Sequence, residues 1–123
     1  MTHHYDPDIL ELAPVEVKAG MEAGTVLLLD IRSGALYEQS GEHVPGDRRF
    51  PASPSPTDLA SLDRDRLVVA YCDCPGEAGS LGFGTRLRRA GFPRVGVLLG
   101  GLAGWKAAGL GAVPVPDLDA GQE

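Results

Sequence analysis

Three short apolar runs punctuate the chain: Thr25-Val26-Leu27-Leu28-Leu29-Asp30-Ile31-Arg32, Leu67-Val68-Val69-Ala70-Tyr71, and Arg94 to Leu99. Continuous rather than alternating hydrophobicity over this length predicts strands buried on both faces. The first run emerges with two charges, Asp30 and Arg32, at its C-terminal end. Around the runs the spacing turns helical. Ala13-Pro14-Val15-Glu16-Val17-Lys18 leads to Gly24, with proline near a helix start and glycine past its end. Gly34 to Gln39 and Thr57 to Leu62 each predict a short helical stretch. Leu81 to Ala90, with Leu81, Leu87 and Arg86-Arg88-Arg89 at helical spacing, predicts a helix capped by Ser80. Gly100-Gly101 reads as a tight turn before a helix from Leu102 to Ala108 that Gly109 stops. Glu42-His43-Val44-Pro45-Gly46 reads as a turn, the residues near Arg48-Arg49-Phe50-Pro51 as a short strand, and Ala52 to Pro56 as a surface loop.

Strand and helix alternate throughout. Right-handed crossovers then predict an α/β fold, a mostly parallel central sheet flanked by helices on both faces. In such sheets sites lie beyond the carboxyl ends of the strands, where Asp30, Arg32 and Cys72 fall. A length of 123 residues suits one domain, 1–123, with a frayed N-terminus over 1–8 and an extended, frayed tail over 113–123.

Composition narrows the partners. The formal net charge of −6 argues against nucleic acid or an anionic membrane surface. No apolar run approaches the roughly 18 residues of a membrane span. The N-terminus shows no basic region followed by an apolar core, so a cytoplasmic protein with reduced thiols is expected.

The chain's two cysteines, Cys72 and Cys74, sit in the strand-to-helix connection Tyr71-Cys72-Asp73-Cys74-Pro75-Gly76-Glu77-Ala78-Gly79-Ser80. Unpaired N–H groups and the positive end of the dipole at a helix start stabilise a thiolate, so an exposed, activated thiol is expected in this loop. Buried structural cysteines are the ordinary alternative. A Cys-x-Cys zinc site would need His3, His4 or His43 to complete four ligands, and no metal or other cofactor is expected. His43 at its turn, Asp30 with Arg32 at the strand end, and Trp105 read as a hydrogen-bonding residue, a loop-ordering ion pair and a core residue respectively.

Together, Asp30-Ile31-Arg32, Glu38 with His43-Val44-Pro45-Gly46, Tyr71-Cys72, and Gly100-Gly101-Leu102-Ala103-Gly104-Trp105 followed by Gly109-Leu110 resemble the rhodanese-like (sulfurtransferase) family. The order and spacing match over about nine tenths of the chain. The resemblance implies a cysteine that takes sulfane sulfur from a small donor such as thiosulfate or a persulfide. It holds the sulfur as a persulfide and passes it to a thiol, to a cyanide-like acceptor, or to a protein acceptor. Strand register selects Cys72 as the nucleophile, whereas the family's loop length, counted back from Ser80, selects Cys74. Strand register is favoured, because it fixes where the thiol points; Cys74 is then an alternative nucleophile or a resolving thiol. The loop lacks the arginine common in the family and carries Asp73 and Glu77 instead. Two carboxylates beside a thiolate would raise its pKa and repel an anionic donor. The acidic loop leaves two rivals open: a non-catalytic protein-binding module, and phosphatase or arsenate-reductase chemistry, which ordinarily needs an arginine on the oxyanion.

Overall fold

The computed structural model describes residues 5–73 and 77–116, so His3, His4, Cys74, Pro75, Gly76 and 117–123 lie outside the described residues. In chain order the elements are β1 Leu10–Leu12, α1 Pro14–Ala23, β2 Val26–Asp30, α2 Gly34–Ser40, β3 Glu42–His43 and β4 Arg48–Arg49. They continue with α3 Pro56–Ala60, β5 Leu67–Tyr71, α4 Ala78–Arg89, β6 Val95–Leu98, α5 Gly101–Ala107 and β7 Val113–Pro114.

The three apolar runs form the middle of a five-stranded sheet ordered β1-β6-β5-β2-β4, and every pairing in it is parallel. A strand's period of two then sorts side chains between two cores. Leu29 and Ile31 of the β2 run and Val68, Ala70 and Cys72 of the β5 run face Phe83 and Leu87 of α4, with Leu59 of α3 at the margin. Val26 and Leu28, with Val69 and Tyr71, face Val17 of α1 and Leu102 and Trp105 of α5. Helices thus cover both faces of a parallel sheet, as the alternation predicts.

Some details depart from the expectation. The edge strand β1 was not anticipated; it pairs only through β6, and Leu10 remains half exposed. Both segments expected to fray are tied down in part. Asp6 N–H donates to Thr85 Oγ1 at 3.1 Å, and Arg88 on α4 reaches the carboxylates of Asp6 and Asp8. Val113–Pro114 pairs antiparallel with Glu42–His43, and Val115 N–H donates to Gly41 O. Helix α4 starts earlier than expected. Glu77, in left-handed backbone with φ 59°, is its N-cap, and the expected cap Ser80 lies inside the helix, its Oγ donating back to Glu77 O at 3.1 Å.

The turn Gly100-Gly101 joins β6 to α5 beside the end of β5, with both glycines at positive φ. A Cβ on Gly101 would lie 2.4 Å from Cys72 O, so this backbone comes against the cysteine where no side chain fits. Gly24, also left-handed, faces open space. We expect Gly24→Ala to cost about 1 kcal/mol, the backbone penalty alone, and Gly101→Ala at least twice that, because the clash adds to it. Urea unfolding of the two variants measures the difference, and equal costs would mean that the turn does not press on Cys72.

Candidate active site at the end of β5

The carboxyl end of β2 is organised by one buried guanidinium. The Arg32 side chain is fully buried, and its Nε and Nη2 donate to the two oxygens of Asp30 at 3.0 and 2.7 Å in a bidentate pair. Its remaining donors reach Ser40 Oγ at 2.8 Å and Glu42 O at 2.9 Å, and Asp73 Oδ2 lies 3.6 Å from Nη1. Burial alone would lower this arginine's pKa, but the bonded Asp30 outweighs it and holds the cation above its ordinary value. The expected loop-ordering role of Asp30 and Arg32 is therefore visible in the geometry: one side chain ties together the end of β2, the end of α2, the next strand and the first residue after Cys72.

Cys72 follows β5 directly. It is 5% exposed and packs in the cluster that contains Ile31, Phe50 and Phe83. An exposed thiol was expected; strand parity instead turns Cys72 inward, in the same row as Val68 and Ala70. Asp30 pairs with Tyr71 and Ile31 N–H donates to Tyr71 O, so Ile31, the residue after β2, follows the same register as Cys72, the residue after β5. Ile31 and Phe50 also line a cleft of about 410 Å³, together with Arg32, Ser33, Gly34 and Arg49. Arg49 stands half exposed on its wall, 4.3 Å over the Tyr37 ring, with Nη1 donating to Arg32 O at 2.8 Å. The sequence marks Arg49 only as part of a short strand; its approach to the site needs the β2–β4 pairing, which no local signal reveals.

The two loop carboxylates have structural partners. Asp73, the residue after Cys72, leans on Arg32. Glu77 Oε1 accepts the Gly100 N–H at 2.6 Å. Glu77 caps no helix amide with its side chain. Ala78 and Gly79 open the helix, and Ser80 is buried within it. Cys74, Pro75 and Gly76, the other loop residues singled out from the sequence, lie outside the described residues.

Before the cysteine, Tyr71 anchors the strand from the other face. Its hydroxyl donates to Asp47 Oδ2 at 2.6 Å and accepts the Val44 N–H at 3.3 Å. His43 Nδ1 lies 3.0 Å from Val44 O, which can only accept, so Nδ1 carries the proton and also donates to Asp47 Oδ1 at 2.9 Å. His43 thus holds a turn, as expected. Trp105, buried, donates Nε1–H to Gly111 O. Burial pushes the Asp47 carboxyl above its ordinary 3.8, against the pull of Tyr71 and His43. A raised folded-state pKa means that the folded chain holds this proton more tightly than the unfolded chain. The stability it contributes is complete below 3.8 and is lost as pH rises through the folded value. We expect the wild-type stability minus that of Asp47→Asn, from urea unfolding, to fall as pH is raised above 4; a difference that rises would show that the carboxylate is net stabilised.

The profile of the Rhodanese-like domain matches residues 13–108. Among solved structures, the rhodanese-like domain of the Alr3790 protein from Anabaena sp is 28% identical, with TM-score 0.66 over 85% of this chain and 79% of that one. The BH2092 protein from Bacillus halodurans superposes with TM-score 0.73 over 93% of this chain and 90% of that one; at 17% identity it bears on the fold alone. The HTH-type transcriptional regulator Rv0324 of Mycobacterium tuberculosis (strain ATCC 25618 / H37Rv) is 45% identical over 51 residues, 42% of this chain but 22% of that protein. By its profile and its fold, the chain belongs to the rhodanese-like domain family.

Proposed function

We propose that this domain is a sulfurtransferase that carries sulfane sulfur as a persulfide on Cys72. The observation that carries the reading is the position of Cys72 at the carboxyl end of central strand β5, in the connection to the N-terminus of α4. The thiolate attacks the sulfane sulfur of thiosulfate, the S–S bond of the donor breaks, and sulfite leaves with the electron pair. An acceptor thiolate, or cyanide, then attacks the outer sulfur of the Cys72 persulfide and releases the Cys72 thiolate. The persulfide is anionic, and backbone N–H groups at a helix start stabilise it without proton transfer. Arg49, half exposed on the cleft beside Ile31 and ion-paired with Asp30 at 3.3 Å, places a cation there that the loop itself lacks.

A second reading, a binding module that uses the same scaffold without turnover, draws support from the burial of Cys72. The similarity of 51 residues of this chain to a stretch of a protein described as an HTH-type transcriptional regulator also favours it, since a sensing or docking domain suits that setting. Intact mass after incubation with thiosulfate or a polysulfide separates the two. The sulfurtransferase reading expects one added sulfur per chain, abolished in Cys72→Ser and only partly lowered in Cys74→Ser. The reverse ranking assigns the nucleophile to Cys74, and no adduct in the wild-type protein favours the binding module.

A further inference from the structure

Glu77 is the one residue other than glycine with positive φ among the described residues, and a left-handed glutamate is costly enough to require a reason. Its carboxylate supplies one: Oε1 accepts the Gly100 N–H across 23 positions of sequence. Gly101, next along, is the residue whose backbone comes against Cys72 O. Cys72 and the N-cap of α4 are therefore both seated on the same glycine pair, one through its carbonyl and the other through its side chain. Ser80 Oγ, donating to Glu77 O, closes the first turn behind it.

Resting on the persulfide reading above, we propose that Glu77 is a positioning residue: its bond to Gly100 fixes the first turn of α4, and hence the turn's N–H groups, at a set distance from Cys72. The carboxylate acts as a hydrogen-bond acceptor turned toward the β6–α5 turn rather than as a charge facing the thiol. The acidic loop is then compatible with an anionic donor, because Asp73 is drawn to Arg32 and Glu77 to a backbone amide. This reverses the expectation from sequence that both carboxylates oppose thiosulfate.

Glutamine keeps the acceptor oxygen and removes the charge, and alanine removes both, so the two variants separate position from electrostatics. The rate of sulfur loading from thiosulfate should fall roughly tenfold in Glu77→Ala and recover to within about threefold of wild type in Glu77→Gln. Amide hydrogen exchange at Gly100 should be slow in wild type and Glu77→Gln and fast in Glu77→Ala. Equal rates in the two variants, or rates above wild type in both at low ionic strength, would make charge the operative property and overturn the proposal. Unchanged Gly100 exchange in Glu77→Ala would overturn it as well. If the wild-type protein loads no sulfur, the sulfurtransferase reading fails by itself. Alkylation of Cys72 by iodoacetamide, located by peptide mapping, then decides the matter. A changed rate in Glu77→Ala that Glu77→Gln restores supports positioning, and identical rates in all three proteins overturn it.

Discussion

The buried pair between Arg32 and Asp30 is the interaction on which the site's geometry depends. A guanidinium with no solvent contact must find oxygen partners for its donors inside the protein, and Arg32 finds them on four different segments. Asp30 binds the fork in two places, and Ser40, Glu42 and Asp73 take the rest. Tyr37 and Tyr71 place their rings 5.3 and 5.4 Å from the guanidinium carbon, so the cation is also sheltered by aromatic faces. The end of β2, the length of α2 and the first residue after Cys72 cannot shift independently without leaving a buried charge unpaired.

That anchor also draws in Asp73, the first of the two acidic residues after β5. A loop with two carboxylates and no arginine looks ill suited to an anionic donor when its composition is read alone. In the folded chain each carboxylate is engaged elsewhere, Asp73 by a buried cation just past β2 and Glu77 by a backbone amide at the β6–α5 turn. A cation does lie at the neighbouring cleft, in Arg49 of β4. The net electrostatics of the site are set by tertiary partners, which the charge count of a short segment does not report.

Legibility in the sequence followed the same division. The central strands were readable because two-sided burial leaves continuous apolar runs, and the helices because proline, glycine and spacing punctuate them. Edge strand β1 was not, since Leu10-Glu11-Leu12 is short, charged in the middle and exposed on Leu10. Ser80 misled as a cap because serine is a common N-cap, whereas here Glu77 takes the left-handed position and the helix begins at Ala78. The candidate cysteine and the Asp30–Arg32 pair were visible as residue types at a strand end. The inward turn of Cys72 follows from strand parity, and could have been found by extending the row Val68–Ala70 by one step. The grip of Glu77 on Gly100 and the approach of Arg49 depend on contacts distant in sequence, for which no local pattern exists.

Equilibrium urea unfolding of Asp30→Asn tests the central claim most directly, because the substitution preserves shape and strips the buried cation of its bidentate partner. With Arg32 organising the strand end as described, the variant loses about 3–5 kcal/mol of stability at an unchanged denaturant slope. A loss below about 1 kcal/mol would contradict the account, since a guanidinium that tolerates the change so easily is not held in a dry, fully partnered site.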